Sequence, residues 1–186
     1  STNTLTIDGH ATTLTYTGSN AALRLNGEDY VIVKNMTIEN NNTTSPGGVW
    51  ITNQADYNDF NGVHIYLSAY SGTSSATYYY AISTSLTSAM SNASLTTGTL
   101  GQPGSFNRIR NCTMYTQSGG SGPYTAVGIN GNTVNYTTVA QNNSVEGCTI
   151  RNFYYYAVFM QYPNGNQVLN NDISRANATS GGSSVM

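Results

Sequence analysis

Apolar residues recur at two fixed positions in five segments of this chain that align with one another without a gap. The segments are residues 30–40 (YVIVKNMTIEN), 57–67 (YNDFNGVHIYL), 106–116 (FNRIRNCTMYT), 142–152 (NNSVEGCTIRN) and 165–175 (GNQVLNNDISR). The fourth position is always apolar: Val33, Phe60, Ile109, Val145 and Val168. The ninth position is also always apolar: Ile38, Ile65, Met114, Ile150 and Ile173. Each segment therefore predicts two short strands, each with one side chain directed into a core.

The sixth position of the segments lies between the two predicted strands and is restricted to Asn or Gly. Its occupants are Asn35, Gly62, Asn111, Gly147 and Asn170. Asn and Gly tolerate the left-handed backbone conformation that a sharp corner requires. Stacked Asn side chains can also hydrogen-bond to one another, so this column is expected to form a structural turn ladder.

A third strand is predicted upstream of each segment, where apolar and polar residues alternate with period two. The stretches are residues 22–26, 48–52, 81–85, 126–130 and 157–161. Their inward residues are expected to be Leu23, Val49, Ile82, Val127 and Val158, and the residues between inward positions face outward.

Three strands per repeat, with equivalent positions recurring in every copy, predict parallel coils stacked about 4.8 Å apart. The last two segments start at residues 142 and 165, a spacing of one coil, and longer spacings indicate insertions. We predict a single all-β domain over residues 1–186, with about five to six coils and loop insertions at 86–105 and 132–140. Because a solenoid exposes its core at both ends, we expect a segment of a longer protein, with the remaining chain or an assembly covering the ends.

The repeat resembles the pectin-lyase-like right-handed parallel β-helix family, with its N-x-[IV]-x-N-x-x-I-x-N pattern, across roughly residues 22–175. The run ALRLNGEDYVIVKNMTIEN is similar to β-helix segments of large bacterial surface proteins that are exported by type IX secretion. The resemblance implies a right-handed β-helix and a secreted or cell-surface location. The C-terminal export signal of those surface proteins is absent from this sequence.

Composition narrows the range of partners. The chain of 186 residues has six Lys and Arg, eight Asp and Glu, and a net charge of −2. This charge gives no electrostatic footprint for nucleic acid, and no apolar run reaches the roughly 20 residues that span a membrane. We expect no nucleic acid partner and no membrane insertion. Asn-x-Ser/Thr tripeptides recur, but this composition produces them by chance, so glycosylation is left open.

Polysaccharide lyases and hydrolases of this fold family act from one face of the solenoid, and the matching face of this chain lacks acidic residues. The ten outward residues predicted there contain neither Asp nor Glu: Arg24, Asn26, Trp50, Thr52, Ser83, Ser85, Gly128, Asn130, Phe159 and Gln161. Common glycoside hydrolysis needs two carboxyl groups, and calcium needs several oxygen ligands. We therefore predict no catalytic residues, no cofactor and no metal.

Other polar residues receive structural interpretations. Asp56 and Asp59, with His64 five residues later, form the best candidate for a paired acidic site, but turn formation is the stronger explanation for the two acids. We expect ion pairs between neighbouring coils, of Asp59 with Arg108 and of Arg110 with Glu146. Cys112 and Cys148 share the seventh position of neighbouring segments, and buried thiols are favoured there over a disulfide.

Fifteen tyrosines are the compositional outlier. Tyr79, Tyr124 and Tyr155 are expected to form one column, and Tyr66 and Tyr115 another. Stacked rings of this kind stabilise a solenoid, but they also offer a platform to a glycan or a protein. Trp50 and Phe159 are expected to add exposed aromatic contacts on the adjacent sheet.

The sequence thus favours a non-catalytic extracellular module, acting as a stalk or adhesin, with a glycan or cell-surface protein as its partner. The alternative is a polysaccharide lyase or glycoside hydrolase whose catalytic residues lie outside this segment. Ice binding would need a flat array of Thr, and the predicted outward positions are too mixed for that.

Overall fold

The computed structural model describes residues 3–70, 77–84, 101–116, 122–131 and 139–175, and its regular elements are all strands. The first sheet contains β1 (Leu5–Asp8), β4 (Val31–Lys34), β7 (Asp59–Asn61), β10 (Arg108–Arg110), β14 (Ser144–Glu146) and β18 (Gln167–Leu169). The second sheet contains β2 (Thr13–Tyr16), β5 (Thr37–Asn40), β8 (His64–Leu67), β11 (Thr113–Thr116), β15 (Thr149–Arg151) and β19 (Asp172–Ser174). The third sheet contains β3 (Ala21–Asn26), β6 (Gly47–Thr52), β9 (Tyr78–Ser83), β12 (Thr125–Asn130) and β16 (Tyr156–Gln161).

All strand pairs are parallel, and each strand pairs with its equivalent in the neighbouring coil. A fourth, small sheet pairs β13 (Ala140–Gln141) with β17 (Pro163–Asn164). The described residues thus form five coils with all three long sheets and a sixth with strands in two of them. The predicted parallel β-helix and its number of coils are confirmed. The coil built from β1 and β2 precedes the first repeat segment found in the sequence.

The two apolar columns of the repeat form the core, as predicted. Val33, Phe60, Ile109 and Val145 follow one another in register and are completely buried. The ninth-position residues stack equally well on the second sheet. Only the last members, Val168 and Ile173, are exposed, because they lie in the last described coil.

The third sheet shows one error of register in the sequence alignment. Val49 pairs with Tyr80 and Ile51 pairs with Ile82, whereas the alignment had placed Ile82 opposite Val49. A shift of two residues keeps every side chain on its own face, so Ile82 still points into the core as predicted. The outward residues of this strand are therefore Ala81 and Ser83, rather than Ser83 and Ser85.

The corner at the sixth position has the predicted backbone conformation in every copy. The φ angles are 54° at Asn35, 64° at Gly62, 53° at Asn111, 61° at Gly147 and 54° at Asn170. The side chains do not form a continuous ladder, because glycine interrupts the column. Asn111 instead donates to the Oδ1 of Asn61 in the preceding coil, at 3.0 Å.

A continuous asparagine ladder occupies the second position of the last four segments, a column that the sequence pattern does not predict. Its members are Asn58, Asn107, Asn143 and Asn166. In each step the Oδ1 of one Asn accepts hydrogen bonds from the backbone N–H and the side-chain amide of the Asn in the previous coil. The ladder satisfies polar groups inside the solenoid and fixes the corner where the first sheet begins.

The predicted loops lie largely outside the described residues. Of the loop at 86–105, residues 101–105 are described and run beside the preceding coil, where Gln54 N donates to Gln102 O at 3.0 Å. Of the loop at 132–140, residues 139 and 140 are described, and Ala140 is buried in β13. Within the described ranges, no helix is long and apolar enough to cross a membrane.

Candidate functional site

Three aromatic rings from consecutive coils stack at the corner that leads into the first sheet. The rings of Tyr30 and Tyr57 lie 5.0 Å apart between centroids and 4° from parallel. Those of Tyr57 and Phe106 lie 4.8 Å apart and 6° from parallel. Tyr57 is 45% exposed and Phe106 is 37% exposed. We call these three residues the corner ladder.

The backbone of the corner ladder has a conformation that aromatic residues rarely adopt. The φ angles are 57° at Tyr30, 58° at Tyr57 and 58° at Phe106, and the next two residues of the column are Asn142 and Gly165, at 53° and 66°. The left-handed conformation costs an ordinary L-residue roughly 1–2 kcal/mol, whereas Gly adopts it without penalty and Asn more readily than most residues. Asn or Gly would therefore serve the turn better, and residues held in such conformations often cluster at functional sites.

The corner ladder ends at a surface hollow of about 290 Å³. The hollow arises because the column continues with smaller residues: the Asn142 side chain is shorter than that of Phe106, and Gly165 has none. The Oδ1 of Asn142 lies where a methyl group on Gly165 would be. The outer part of the Phe106 ring thus forms one wall of the hollow. The remaining lining is polar apart from Gly165: Arg108, Asn142, Asn143, Ser144 and Gln167.

The two arginines of β10, on the outer face of the first sheet, pair diagonally with acids of the neighbouring coils. Arg110 holds Asp59 with two hydrogen bonds, at 2.8 Å and 2.6 Å, and the bond to Asp59 raises the pKa of Arg110 above its usual value. Arg108 approaches Glu146 at 3.9 Å. The predicted pairs of Asp59 with Arg108 and Arg110 with Glu146 are wrong, although those residues are register partners. The long arginine side chains reach the diagonal neighbours instead.

Trp50 lies on the outward side of β6, as predicted, but it is not the exposed contact that was expected. Its exposure is 2%, its indole N–H donates to Ser83 Oγ at 3.3 Å, and the guanidinium of Arg24 lies 4.0 Å from its ring centroid. Every residue of β6, β9 and β12 is buried, so both faces of the third sheet are covered there. Sequence alternation identifies the outward face but not what covers it.

Phe159 and the second group of tyrosines form a half-buried cluster on the last coils. Tyr124 and Tyr155 stack as predicted, 5.1 Å apart and 8° from parallel. Tyr156 packs edge-on against both rings, and Phe159 lies 4.9 Å from Tyr156. All four residues are half-buried, whereas Tyr57 and Phe106 of the corner ladder are exposed.

Tyr79 does not join the Tyr124 column, contrary to the sequence prediction. It is completely buried in the core, where its hydroxyl donates to the carbonyl of Arg151 at 2.8 Å, and burial raises its pKa well above the usual value. The coil before Tyr124 contributes Thr77 instead, whose hydroxyl accepts a hydrogen bond from Tyr124 N. The same two-residue register error explains this result.

The predicted column of Tyr66 and Tyr115 is confirmed on the outer face of the second sheet. The rings lie 4.6 Å apart and 20° from parallel, and their strands pair in register. Burial, followed by the neighbouring Tyr66 and Glu39, raises the pKa of Tyr115. The two half-buried rings stabilise adjacent coils.

The remaining candidates have structural roles. Asp56 Oδ1 accepts from Ser105 N and Asp59 is held by Arg110, so the two acids have different partners. Burial raises the pKa of Asp56, and the nearby Asp29 adds to this rise. His64 is exposed on β8. Among the described residues, no group of three or more His, Cys, Asp or Glu is arranged to hold a metal ion.

Cys112 and Cys148 are free, buried thiols, in agreement with the favoured prediction. Cys112 Sγ donates to the carbonyl of Arg110 at 3.3 Å, and Cys148 Sγ donates to that of Glu146 at 3.4 Å. The hydrogen bond with Cys148, together with burial, holds the pKa of Cys112 well above its usual value. Cys112 is therefore a protonated core residue rather than a nucleophile.

A larger apolar hollow of about 740 Å³ lies on the last described coil, between residues that include Val158, Met160, Val168 and Ile173. These side chains continue the core columns of the preceding coils. Its lining is therefore an extension of the core and lacks the polar groups that orient a small ligand.

Comparison with known proteins adds no assignment, because no family, curated protein or solved structure matches this chain. Among the described residues, the corner ladder and its hollow combine exposed aromatic rings with polar side chains, which makes them the candidate site. The sequence contains a signal for them, since the first position of three successive segments is Tyr, Tyr and Phe.

Proposed function

We propose that this chain is a non-catalytic, secreted or cell-surface β-helix module that binds carbohydrate at the corner ladder and its terminal hollow. It would act as part of a stalk or adhesin, in line with its resemblance to pectin-lyase-like β-helices and to surface proteins exported by type IX secretion. The observation that carries the proposal is the placement of three stacked aromatic residues in left-handed backbone positions where Asn or Gly would be better suited.

The chemistry of the hollow favours a sugar over other ring-shaped ligands. One face of a pyranose ring is largely C–H and can pack on the outer part of Phe106, while its hydroxyls need donors and acceptors. Asn142, Ser144 and Gln167 supply both kinds of group. A purely apolar ring would remove these polar side chains from water without replacing their hydrogen bonds. A nucleic acid base could also stack, but the net charge of −2 opposes a polyanionic chain.

The outward face of the third sheet, as far as the structure describes it, lacks paired carboxylates, which supports binding without catalysis. In the structural register, the outward positions of the described third sheet hold no Asp or Glu. Asp29 and Asp56 do lie on adjacent coils near the corner ladder. Their Oδ1 atoms accept backbone N–H groups of the next coil, from Asp56 and Ser105 respectively, which assigns them a structural role. The lyase or hydrolase alternative therefore still requires residues from elsewhere.

The test is a glycan microarray followed by calorimetry on any glycan that binds, with wild type and Phe106→Asn compared. Asn is suited to the φ of 58° at position 106, as Asn142 is to 53° one coil later, so the variant should fold. We expect bound glycans to lose at least about tenfold in affinity, the equivalent of 1.4 kcal/mol. Tyr66→Ala is the matched control because it removes a stacked ring from another sheet, and it should retain binding.

Two results would contradict the proposal. One is the absence of any bound glycan across a broad array, which would leave a spacer role. The other is equal binding by Phe106→Asn and wild type, which would place the ligand elsewhere. Melting temperatures of all three proteins show whether a lost signal reflects unfolding.

A further inference from the structure

Arg108, at the rim of the hollow, is held less tightly by its acidic partner than the other cations that pair with acids on the first and second sheets. Lys34 lies 3.1 Å from Asp8, Arg110 binds Asp59 through two bonds, and Arg151 donates to Asp172 at 3.0 Å. Arg108 is 3.9 Å from Glu146, which is at the limit of an ion pair. The side chains of Arg108 and Glu146 are 52% and 42% exposed, so water screens their attraction.

The weakly held guanidinium of Arg108 lies at the same hollow as the exposed ring of Phe106. Arg108 begins β10, two residues after Phe106, and both residues line the same hollow. A sugar ring packed on Phe106 would therefore have its edge near the guanidinium. The planar guanidinium has five N–H donors and pairs best with a carboxylate or a similar oxyanion.

We infer that the hollow selects sugars that carry an anionic substituent, a carboxylate or a sulfate, through Arg108, and that Glu146 competes with the ligand for the same guanidinium. This inference rests on the proposed function. The weak pair with Glu146 keeps Arg108 near the hollow without saturating its donors. When a stronger anionic partner binds, Arg108 exchanges a screened contact for a charge-assisted hydrogen bond.

If Glu146 competes with the ligand for Arg108, removing this acid should strengthen the binding of anionic sugars. Glu146→Gln leaves Arg108 without its competing carboxylate, so the ratio of anionic to neutral glycan binding should rise about threefold to tenfold. Arg108→Gln should lower that ratio by at least about tenfold, and Arg108→Lys should restore part of it. Asp172→Asn is the matched control, because it removes an acid that is held by Arg151 on the second sheet.

The experiment is a microarray that carries neutral, uronate-bearing, sialylated and sulfated oligosaccharides, probed with wild type and these variants. The pH dependence of binding identifies which anion is recognised. Binding of carboxylated sugars should weaken below the pKa of the sugar carboxylate, whereas sulfated sugars should stay bound. Equal anionic-to-neutral ratios in wild type, Arg108→Gln and Glu146→Gln would overturn this inference and leave the proposed carbohydrate binding intact. No binding by wild type to any sugar would overturn both.

Discussion

The buried asparagine ladder should contribute more to stability at its centre than at its end, and Asn107→Ala tests this directly. The Oδ1 of Asn107 accepts from Asn58 N at 2.9 Å and from the Asn58 amide at 3.0 Å, and its own amide donates to Ala55 O at 3.0 Å and to Asn143 Oδ1 at 3.2 Å. Asn107 is completely buried. Truncation therefore strands the Asn58 N–H and the Ala55 carbonyl away from water.

Each stranded buried group costs about 1–3 kcal/mol, so Asn107→Ala should lower the free energy of unfolding by about 3 kcal/mol. The free energy of unfolding of a typical domain is about 5–15 kcal/mol, so this loss is easy to measure. Asn166→Ala is the control, since the half-buried Asn166 ends the ladder and water can replace its bonds. Its cost should be about 1 kcal/mol.

The assay is urea unfolding followed by circular dichroism, which gives the unfolding free energy and its dependence on denaturant for each variant. Equal losses for Asn107→Ala and Asn166→Ala would refute the argument, because burial would then have no influence on the value of the ladder bonds. A loss below about 1 kcal/mol at position 107 would refute it as well, since it is less than one stranded group should cost.

Three further variants test other parts of the structure. Asp56→Asn should stabilise the fold at neutral pH, because burial raises the folded-state pKa of Asp56 and disfavours its charged form. The gain over wild type should decline as pH falls through the folded-state pKa and be absent below the unfolded-state pKa, so a gain that persists at lower pH would contradict the assignment. Tyr57→Asn should change stability by less than about 1 kcal/mol, because lost ring stacking and relieved left-handed strain offset each other, and urea unfolding measures the difference. Gly122→Ala should destabilise by about 3 kcal/mol or more, because the methyl would overlap the carbonyl oxygen of Asn152; a melting temperature equal to that of wild type would show that the overlap is relieved.

Much of the fold follows from the sequence because neighbouring coils repeat the same positions. The apolar residues at positions four and nine identify the core, and Asn or Gly at position six identifies a corner. Both signals are local and recur in every copy. The third strand lacks such a marker, so the stretch YYYAIS could slide by two residues without changing which side chains face inward.

The functional surface was harder to predict, because exposure depends on parts of the chain that are distant in sequence. Trp50 faces outward by alternation and is nevertheless buried, since burial depends on what packs over the strand. The diagonal ion pairs depend on the length and direction of arginine side chains, which register does not specify. The corner ladder was detectable in the aligned segments, but its left-handed backbone became evident only in the structure.

The most direct test of carbohydrate binding at the corner ladder is to map a bound glycan by nuclear magnetic resonance. Uniformly ¹⁵N-labelled protein would be titrated with an oligosaccharide that binds on the array, and backbone amide shifts would be assigned. We predict that the largest shifts cluster at Phe106, Asn142 and Gly165, with small changes at Tyr66 and Tyr124. Shifts concentrated on Tyr124, Tyr155 and Tyr156, with none at Phe106, would contradict the account.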